Sequence, residues 1–278
     1  MKAAEILGVD AVTFVEPAFA ALTDTGFNAV LAKTPGDEGR LLVDEHEEPV
    51  ALAFRGTDGW TAGSFLCRNP SLALIERFEN VSGEIFQEDR AVWAAAVREH
   101  YSMALLAAVP PSMEDLNPKR RGILTDLIRG FWGAGNGGTC IDACCGSGVG
   151  SLVLRDLGYA PLSYDNDETL LCRGLTEKRL LPEETMWLDA TIASQYIQPV
   201  SKGIGIMMGE INSFSQDMWQ RIVSELFALS QETLITVGTE PEALLIRSWG
   251  EELGRAVEAS ENPKDPIYDL WVCRSTAK

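Results

Sequence analysis

Trp93, Val97, Tyr101, Ala104 and Ala108 recur at three- and four-residue steps. That spacing predicts one long helix over 88–108 with a single apolar stripe. Upstream, Leu41-Leu42-Val43 and the run 50–54 are short apolar blocks separated by the charged stretch 44–49. They read as two strands, with Pro49 at a strand start or edge. Pro110 and Pro111 cannot both lie inside a helix, so a boundary is expected near Val109-Pro110-Pro111. Beyond it, Asn117-Pro118 predicts a helix start, with Asn as the cap and Pro at the first helical position. Ile123, Leu124, Leu127, Ile128 and Phe131 form that helix's apolar face. Glycines between 133 and 138 end it. A strand over 139–143, a glycine turn and a helix through Leu157 follow. Further apolar strands are expected near 162–164, 186–188, 204–208 and 234–237, most of them separated by helical stretches. Thr239 with Glu242 has the spacing of a capping box, opening a helix whose stripe is Leu245, Trp249 and Leu253. This alternation predicts βαβ units, an α/β fold with a mainly parallel sheet and helices on both faces. The expected division is a mixed α/β N-terminal region over 1–115 and a sheet domain over 116–278.

Charge changes the picture more than composition does. The chain has 278 residues, 46% of them hydrophobic and 23% charged, ordinary values for a folded chain with a real core. The net charge of −18 is not ordinary. Such a chain repels polyphosphate and anionic bilayers, which disfavours nucleic acid and membranes as partners. The excess is densest early: 19 acids face 8 bases before Lys119, and 22 face 15 from there on. No apolar run approaches the ~18 residues of a membrane helix. Glu5, Asp10 and Glu16 do not suit a secretory signal. The six cysteines show no C-x-x-C pair, so neither a disulfide framework nor a zinc site is suggested, and a reducing, cytoplasmic setting is expected.

The chemistry concentrates in Cys140-Ile141-Asp142-Ala143-Cys144-Cys145-Gly146-Ser147-Gly148-Val149-Gly150. This segment leaves a strand and opens a helix, where glycines bring a ligand close to backbone N–H groups. Asp165 follows at the end of the next strand, where a carboxylate would meet ribose hydroxyls. A dinucleotide enzyme would want G-x-G-x-x-G/A, and Ser151 stands at the third small position.

The segment resembles more closely the first motif of the class I S-adenosylmethionine-dependent methyltransferases. In that motif an acid on the first strand precedes a G-x-G-x-G loop. Asp142 and Cys144-x-Gly146-x-Gly148 fit it, with Cys144 in place of the first glycine. Tyr164-Asp165-Asn166-Asp167 resembles the second motif and Leu188-Asp189-Ala190 the third. The segment 203–209 resembles the fourth strand, leading to Glu210-Ile211-Asn212, and the tail resembles the family's closing antiparallel hairpin. The resemblance covers about 117–278; the N-terminal region matches nothing that can be named. It implies a Rossmann-like, mostly parallel seven-stranded sheet and methyl transfer to an O, N or S atom. Asp142, Ala143, Cys144, Gly146, Ser147 and Gly148 would hold the methionine end of S-adenosylmethionine. Asp165 would bind the ribose, with Asn166 beside the adenine; Asp189 and Ala190 would read the adenine, and Gly209 would close the set. Glu210 and Asn212 would orient or deprotonate the acceptor, a small molecule first and a protein side chain second. S-adenosylhomocysteine would be the product. The N-terminal region, with the loop 110–117, would cover the pocket and select the acceptor.

The residues agree with such a reaction. Transfer from a sulfonium needs reactants held in line rather than a metal or a nucleophile. The only histidines, His46 and His100, flank no triad, and each also reads as a structural or solvated residue. Trp93 and Tyr101 read as core, and Cys145 as packing. Asp189 also reads as a turn acid, and Glu210 and Asn212 as a turn ahead of a helix near Ser215. Lys119-Arg120-Arg121, the one basic triplet, either steers a carboxylate or anion or is a solvated helix start. An NAD(P)-dependent oxidoreductase and a non-catalytic S-adenosylmethionine-binding protein are the alternatives. The dense early acidity favours a neutral or cationic acceptor, although solubility in a salty cytoplasm would favour the same composition.

Overall fold

The computed structural model describes residues 2–113 and 116–277 and divides into two compact units, Met1–Ala107 and Ala108–Lys278. Part of the loop expected over 110–117 therefore lies outside the described residues.

The first unit contains α1 (Lys2–Ile6), β1 (Val12–Phe14), α2 (Gly26–Lys33), β2 (Glu38–Val43), β3 (Pro49–Gly56), β4 (Gly59–Ser64), α3 (Leu72–Glu79), β5 (Ser82–Gln87) and α4 (Arg90–Ala108). Its sheet is mixed, in the order β1-β4-β3-β2-β5. The β2–β3 and β3–β4 pairs are antiparallel, and the two edge strands pair parallel. Pro49 opens β3 as expected. Leu52 and Phe54 of β3 pack with Leu31, Leu74 and Phe78 of α2 and α3. Of the predicted α4 stripe, Trp93, Val97 and Tyr101 are buried, but Ala104 and Ala108 are exposed. Trp93 donates to Ser64 Oγ (3.3 Å) and Tyr101 to the Glu16 carbonyl (3.2 Å), both from the buried part of the helix. The unit is stitched by a buried ion pair. Arg68 donates to Glu16 Oε1, to Asn28 Oδ1 (3.0 Å) and to the Leu22 carbonyl (3.0 Å). The two side chains are 1% and 0% exposed.

The second unit contains α5 (Arg120–Trp132), β6 (Thr139–Ala143), α6 (Val149–Asp156), β7 (Ala160–Asp165), α7 (Glu168–Thr176), β8 (Thr185–Trp187), β9 (Val200–Gly205), α8 (Gln216–Leu229), β10 (Ser230–Val237), α9 (Glu240–Glu252), β11 (Ala256–Glu261) and β12 (Trp271–Thr276). Its seven strands run β11-β12-β10-β9-β6-β7-β8, parallel except where β12 pairs antiparallel with β10 and β11. Strand alternation assigns the helices to faces. Ile204 and Val272 join Leu124, Ile128, Val149 and Val153 of α5 and α6 in one core. The adjacent Gly203 lies against Leu226 of α8, and Cys273 Sγ donates to the Ala243 carbonyl of α9 (3.5 Å). This is the Rossmann-like fold with helices on both faces that the motif resemblance implied.

Boundaries differ where side chains overrule pattern. The helix expected at Asn117-Pro118 starts at Arg120, because Asn117 Oδ1 accepts from Lys119 N–H (3.0 Å) and makes a turn instead of a cap. β9 ends at Gly205, before Met208, because Met207 turns to φ +59° and donates its N–H to Thr236 Oγ1 (2.7 Å). The capping box of α9 is present, with Thr239 N donating to Glu242 Oε2 (3.0 Å). The helix buries Ala243, Ile246 and Trp249, whereas Leu253 is 53% exposed. The closing hairpin is formed by β11 and β12, with β12 starting at Trp271. Among the described residues no helix is long and apolar enough to cross a membrane.

Removing one member of a buried pair leaves the other as an unpaired buried charge. Arg68→Leu is expected to lower stability by about 3–5 kcal/mol, read in urea unfolding followed by a probe in the first unit. A loss within experimental error would show that Glu16 and Arg68 do not hold that unit together.

Candidate functional site

The site is built where β6 turns into α6. Cys144, Gly146 and Gly148 take φ values of +52°, +52° and +82°, so the chain reverses within a few residues. Cys144 holds this left-handed conformation with a side chain, which glycine would adopt without steric cost. The two outer glycines answer to different demands. A Cβ on Gly146 would meet nothing nearer than 3.9 Å, in open space beside Leu170. A Cβ on Gly148 would strike Leu180 at 2.5 Å, so its small size serves packing.

Asp165, at the end of β7, ties this loop down. Its Oδ2 accepts from Gly146 N–H (2.8 Å) and its Oδ1 from Asp167 N–H (2.8 Å). Burial raises its pKa, and the two N–H groups oppose that shift. Asp142, on the central strand β6, is 1% exposed. Ser151 Oγ donates to Asp142 Oδ2 (2.6 Å), but Oδ1 has no hydrogen-bond partner. A Cβ on Gly150 would stand 2.8 Å from Asp142 Oδ2, so only glycine lets α6 come this close. Desolvation pushes the Asp142 carboxyl up to about 7, outweighing the Ser151 hydrogen bonds. Ser151, the mismatch to a dinucleotide fingerprint, is the donor that this acid requires.

These groups rim a cavity of about 600 Å³ at the carboxyl ends of the strands. Asp142, Cys144, Gly146, Ser147, Asp165, Asn166, Asp189, Ala190 and Gly209 line it. Ala143 and Gly148 do not. Ala143 is fully buried, its alternation turning it away from Asp142, and Gly148 faces Leu180. Asp189 also caps the short 3₁₀ turn that follows, its Oδ1 accepting from Thr191 N–H and Oγ1 (both 2.8 Å).

Glu210 and Asn212 stand apart from this group. They line a neighbouring cavity of about 500 Å³, which shares Met207 and Gly209 with the first. Asn212 Oδ1 accepts from Phe214 N–H (2.9 Å) and Ser215 N–H (3.3 Å), a turn role ahead of α8. The Glu210 carbonyl accepts from Ser215 Oγ (2.8 Å) and Trp219 Nε1 (3.1 Å), while its side chain is exposed. Burial and the neighbouring acids raise the Cys144 and Cys145 thiols, so both stay protonated and neither is an activated nucleophile. His100 lies in the first unit, its ring centroid 4.7 Å from that of Phe14, and burial lowers its pKa. His46 donates its N–H to Asp44 Oδ1 in the turn after β2.

The sequence pattern missed the apolar wall of the first cavity, including Leu170, Ile206, Met218 and Trp219. No periodicity signals them, because they come from three separate segments. It also left Arg120 undecided. The basic triplet splits: Arg121 pairs with Asp156 (2.7 Å) at the surface, whereas Arg120 pairs with Asp269 (3.2 Å) and lines the cavity.

No protein-family model matches the chain, and no curated protein matches it. Solved structures do. A presumed RNA methyltransferase from Pyrococcus horikoshii is 15% identical over 64% of this chain and 95% of its own, with TM-score 0.47. Precorrin-6y C5,15-methyltransferase from Geobacter metallireducens is 10% identical over 61% and 94%, with TM-score 0.45. A ribosomal protein L11 methylase from Lactobacillus delbrueckii subsp. bulgaricus is 9% identical over 71% and 86%, with TM-score 0.45.

Asp142 keeps its proton in the fold up to about pH 7, while in the unfolded chain it ionises near 4. Between those values the native state binds more protons, so its stability falls as pH rises through the window. Asp142→Asn removes this penalty. At pH 8 the variant is expected to be more stable than the parent by on the order of 4 kcal/mol, with the gap closing by pH 4. Denaturant midpoints at both pH values check it; a gap of equal size at pH 4 would contradict a titrating Asp142.

Proposed function

We propose that the second unit binds S-adenosylmethionine in the 600 Å³ cavity and transfers its methyl group to a small-molecule acceptor. One observation carries the reading. Acids on or just after three consecutive strands, Asp142, Asp165 and Asp189, rim one cavity around a glycine loop, and the most buried of them lacks a partner on one oxygen. A buried acid that ionises only near pH 7 for want of a countercharge would be held ionised by a cationic ligand. The donor supplies a methyl group on a positively charged sulfur, already activated for displacement.

The chain's own residues hold and orient. Asp165 keeps the Gly146 N–H engaged, and each of its oxygens retains a lone pair for a ribose hydroxyl. Asp189 presents Oδ2 to an exocyclic amine while its Oδ1 secures the turn. Gly146 and Ser147 let the backbone approach the ligand, and Leu170, Ile206 and Trp219 exclude water around it. Rate enhancement would come mainly from aligning acceptor and methyl group, a positioning effect.

The second cavity would take the acceptor, beside Met207 and Gly209. Its charged side chains are Glu210 and Glu242, and both Glu242 oxygens are engaged by Ile211 and Thr239. With Glu210 the available charge there, a neutral or cationic acceptor fits better than an anion. The net charge of −18 argues in the same direction against nucleic acid. We assign acceptor selection to the N-terminal region, where acids are densest.

Titration calorimetry with S-adenosylhomocysteine and with NADH tests the reading. S-adenosylhomocysteine is expected to bind and NADH not to bind; the reverse would replace this function with hydride transfer. Asp165→Ala removes both a ribose acceptor and the clamp on Gly146. It is expected to weaken S-adenosylhomocysteine by about 2–3 kcal/mol, the scale of charge-assisted hydrogen bonds. Parental affinity in that variant would show that the ribose lies elsewhere.

A further inference from the structure

We infer that Arg120 is the receptor for the carboxylate at the amino-acid end of the donor, and that Asp269 is its positioning residue. This rests on the donor-binding reading above.

Among the described residues, Arg120 is the only cationic side chain lining the 600 Å³ cavity, against the acids Asp142, Asp165, Asp167 and Asp189. A zwitterionic amino-acid group brings an anion into that acid-rich space, and only Arg120 there carries the complementary charge. The guanidinium is already oriented. Its Nε and Nη2 donate to the two oxygens of Asp269 (3.2 and 3.3 Å), and the Tyr268 ring lies 5.1 Å from its centre. Asp269 is itself fully buried and is fixed by Thr236 Oγ1 (2.5 Å). A purely structural ion pair accounts for Nε and Nη2. It does not account for a fork held at the cavity wall with Nη1 left over, the donor that a second carboxylate needs.

The strand order places this group at the correct end. Asp165 ends β7 and Asp189 follows β8, at one side of the sheet. Arg120 is tethered through Asp269 and Thr236 to the loop before β12 and to β10, on the other side of β6 and β9. A ligand with its adenosine over β7 and β8 therefore extends its amino-acid end past Asp142 toward Arg120. The same tether reaches the neighbouring cavity, because Thr236 Oγ1 also accepts from Met207 N–H (2.7 Å), and Met207 lines both.

The test compares two ligands that differ only in the carboxylate: S-adenosylhomocysteine and its decarboxylated form, S-adenosyl-3-thiopropylamine. Calorimetry on the full chain is expected to show that Arg120→Met weakens the first by about tenfold or more and the second by less than about twofold. Arg120→Lys should recover part of the loss, since it restores charge without the fork. Asp269→Asn should shift the ratio of the two affinities in the same direction by a smaller factor, which a merely structural role would leave unchanged. If Arg120→Met unfolds because Asp269 is left unpaired, the double variant Arg120→Met/Asp269→Asn removes both charges and is read instead. Equal losses for both ligands, or no loss for S-adenosylhomocysteine, would overturn the assignment. If the parent chain binds neither ligand, it is the donor-binding reading that fails.

Discussion

A carboxylate with almost no exposed surface sits at the middle of the seven-stranded sheet, and much of the second unit is arranged around it. Asp142 can be buried there only because Ser151 donates to one oxygen and Gly150 has no side chain to collide with the other face of the contact. Those two requirements fix how closely α6 approaches β6, and hence the tight reversal at Cys144, Gly146 and Gly148. Ser163 on the next strand completes the chain, its Oγ 2.7 Å from that of Ser151. A buried polar chain of this kind is costly when incomplete. Its one open position, Asp142 Oδ1, belongs to a residue that lines the cavity.

A second set of polar groups braces the far side of the same cavity. Asp269 gathers Arg120 from the first helix of the unit and Thr236 from β10, so that the helix, the central strands and the closing hairpin meet at one buried acid. The two networks differ in electrostatic character. Asp142 is desolvated and has no ion-pair partner, which keeps it protonated up to about pH 7, whereas the charge of Asp269 is neutralised by Arg120. The cavity between them is acidic over most of its rim and cationic at one point. A zwitterionic ligand with an additional positive centre matches that distribution. The large negative charge of the whole chain is a separate matter, since most acids are exposed and are screened within a Debye length of about 10 Å.

How much was legible depends on the range of the interaction. The glycine loop, Asp165 and the strands on either side were readable because turn chemistry and alternation act over a few residues. Boundaries failed where a side chain competed locally with the pattern. Asn117 made a turn where a cap was expected, and Met207 left the strand to reach Thr236. Ala104, Ala108 and Leu253 satisfied helical spacing yet stayed exposed, because spacing defines a face without saying how far its partner extends. Glu210 and Asn212 were placed correctly after the fourth strand of the sheet domain, but their position in the chain could not say which cavity they would line.

The sequence by itself determined the order of elements, the parallel α/β architecture and the acid–glycine–acid segment, all of which follow from contacts between near neighbours. Only the tertiary structure decided which of those residues face the cavity. It turned Asp142 toward the cavity and Ala143 away, since adjacent strand residues point to opposite sides. It assigned Gly148 to packing and Gly146 to open space. It joined Arg120 to Asp269 across 149 positions, a pairing that no local pattern encodes because it depends on where β10 and β12 end relative to α5.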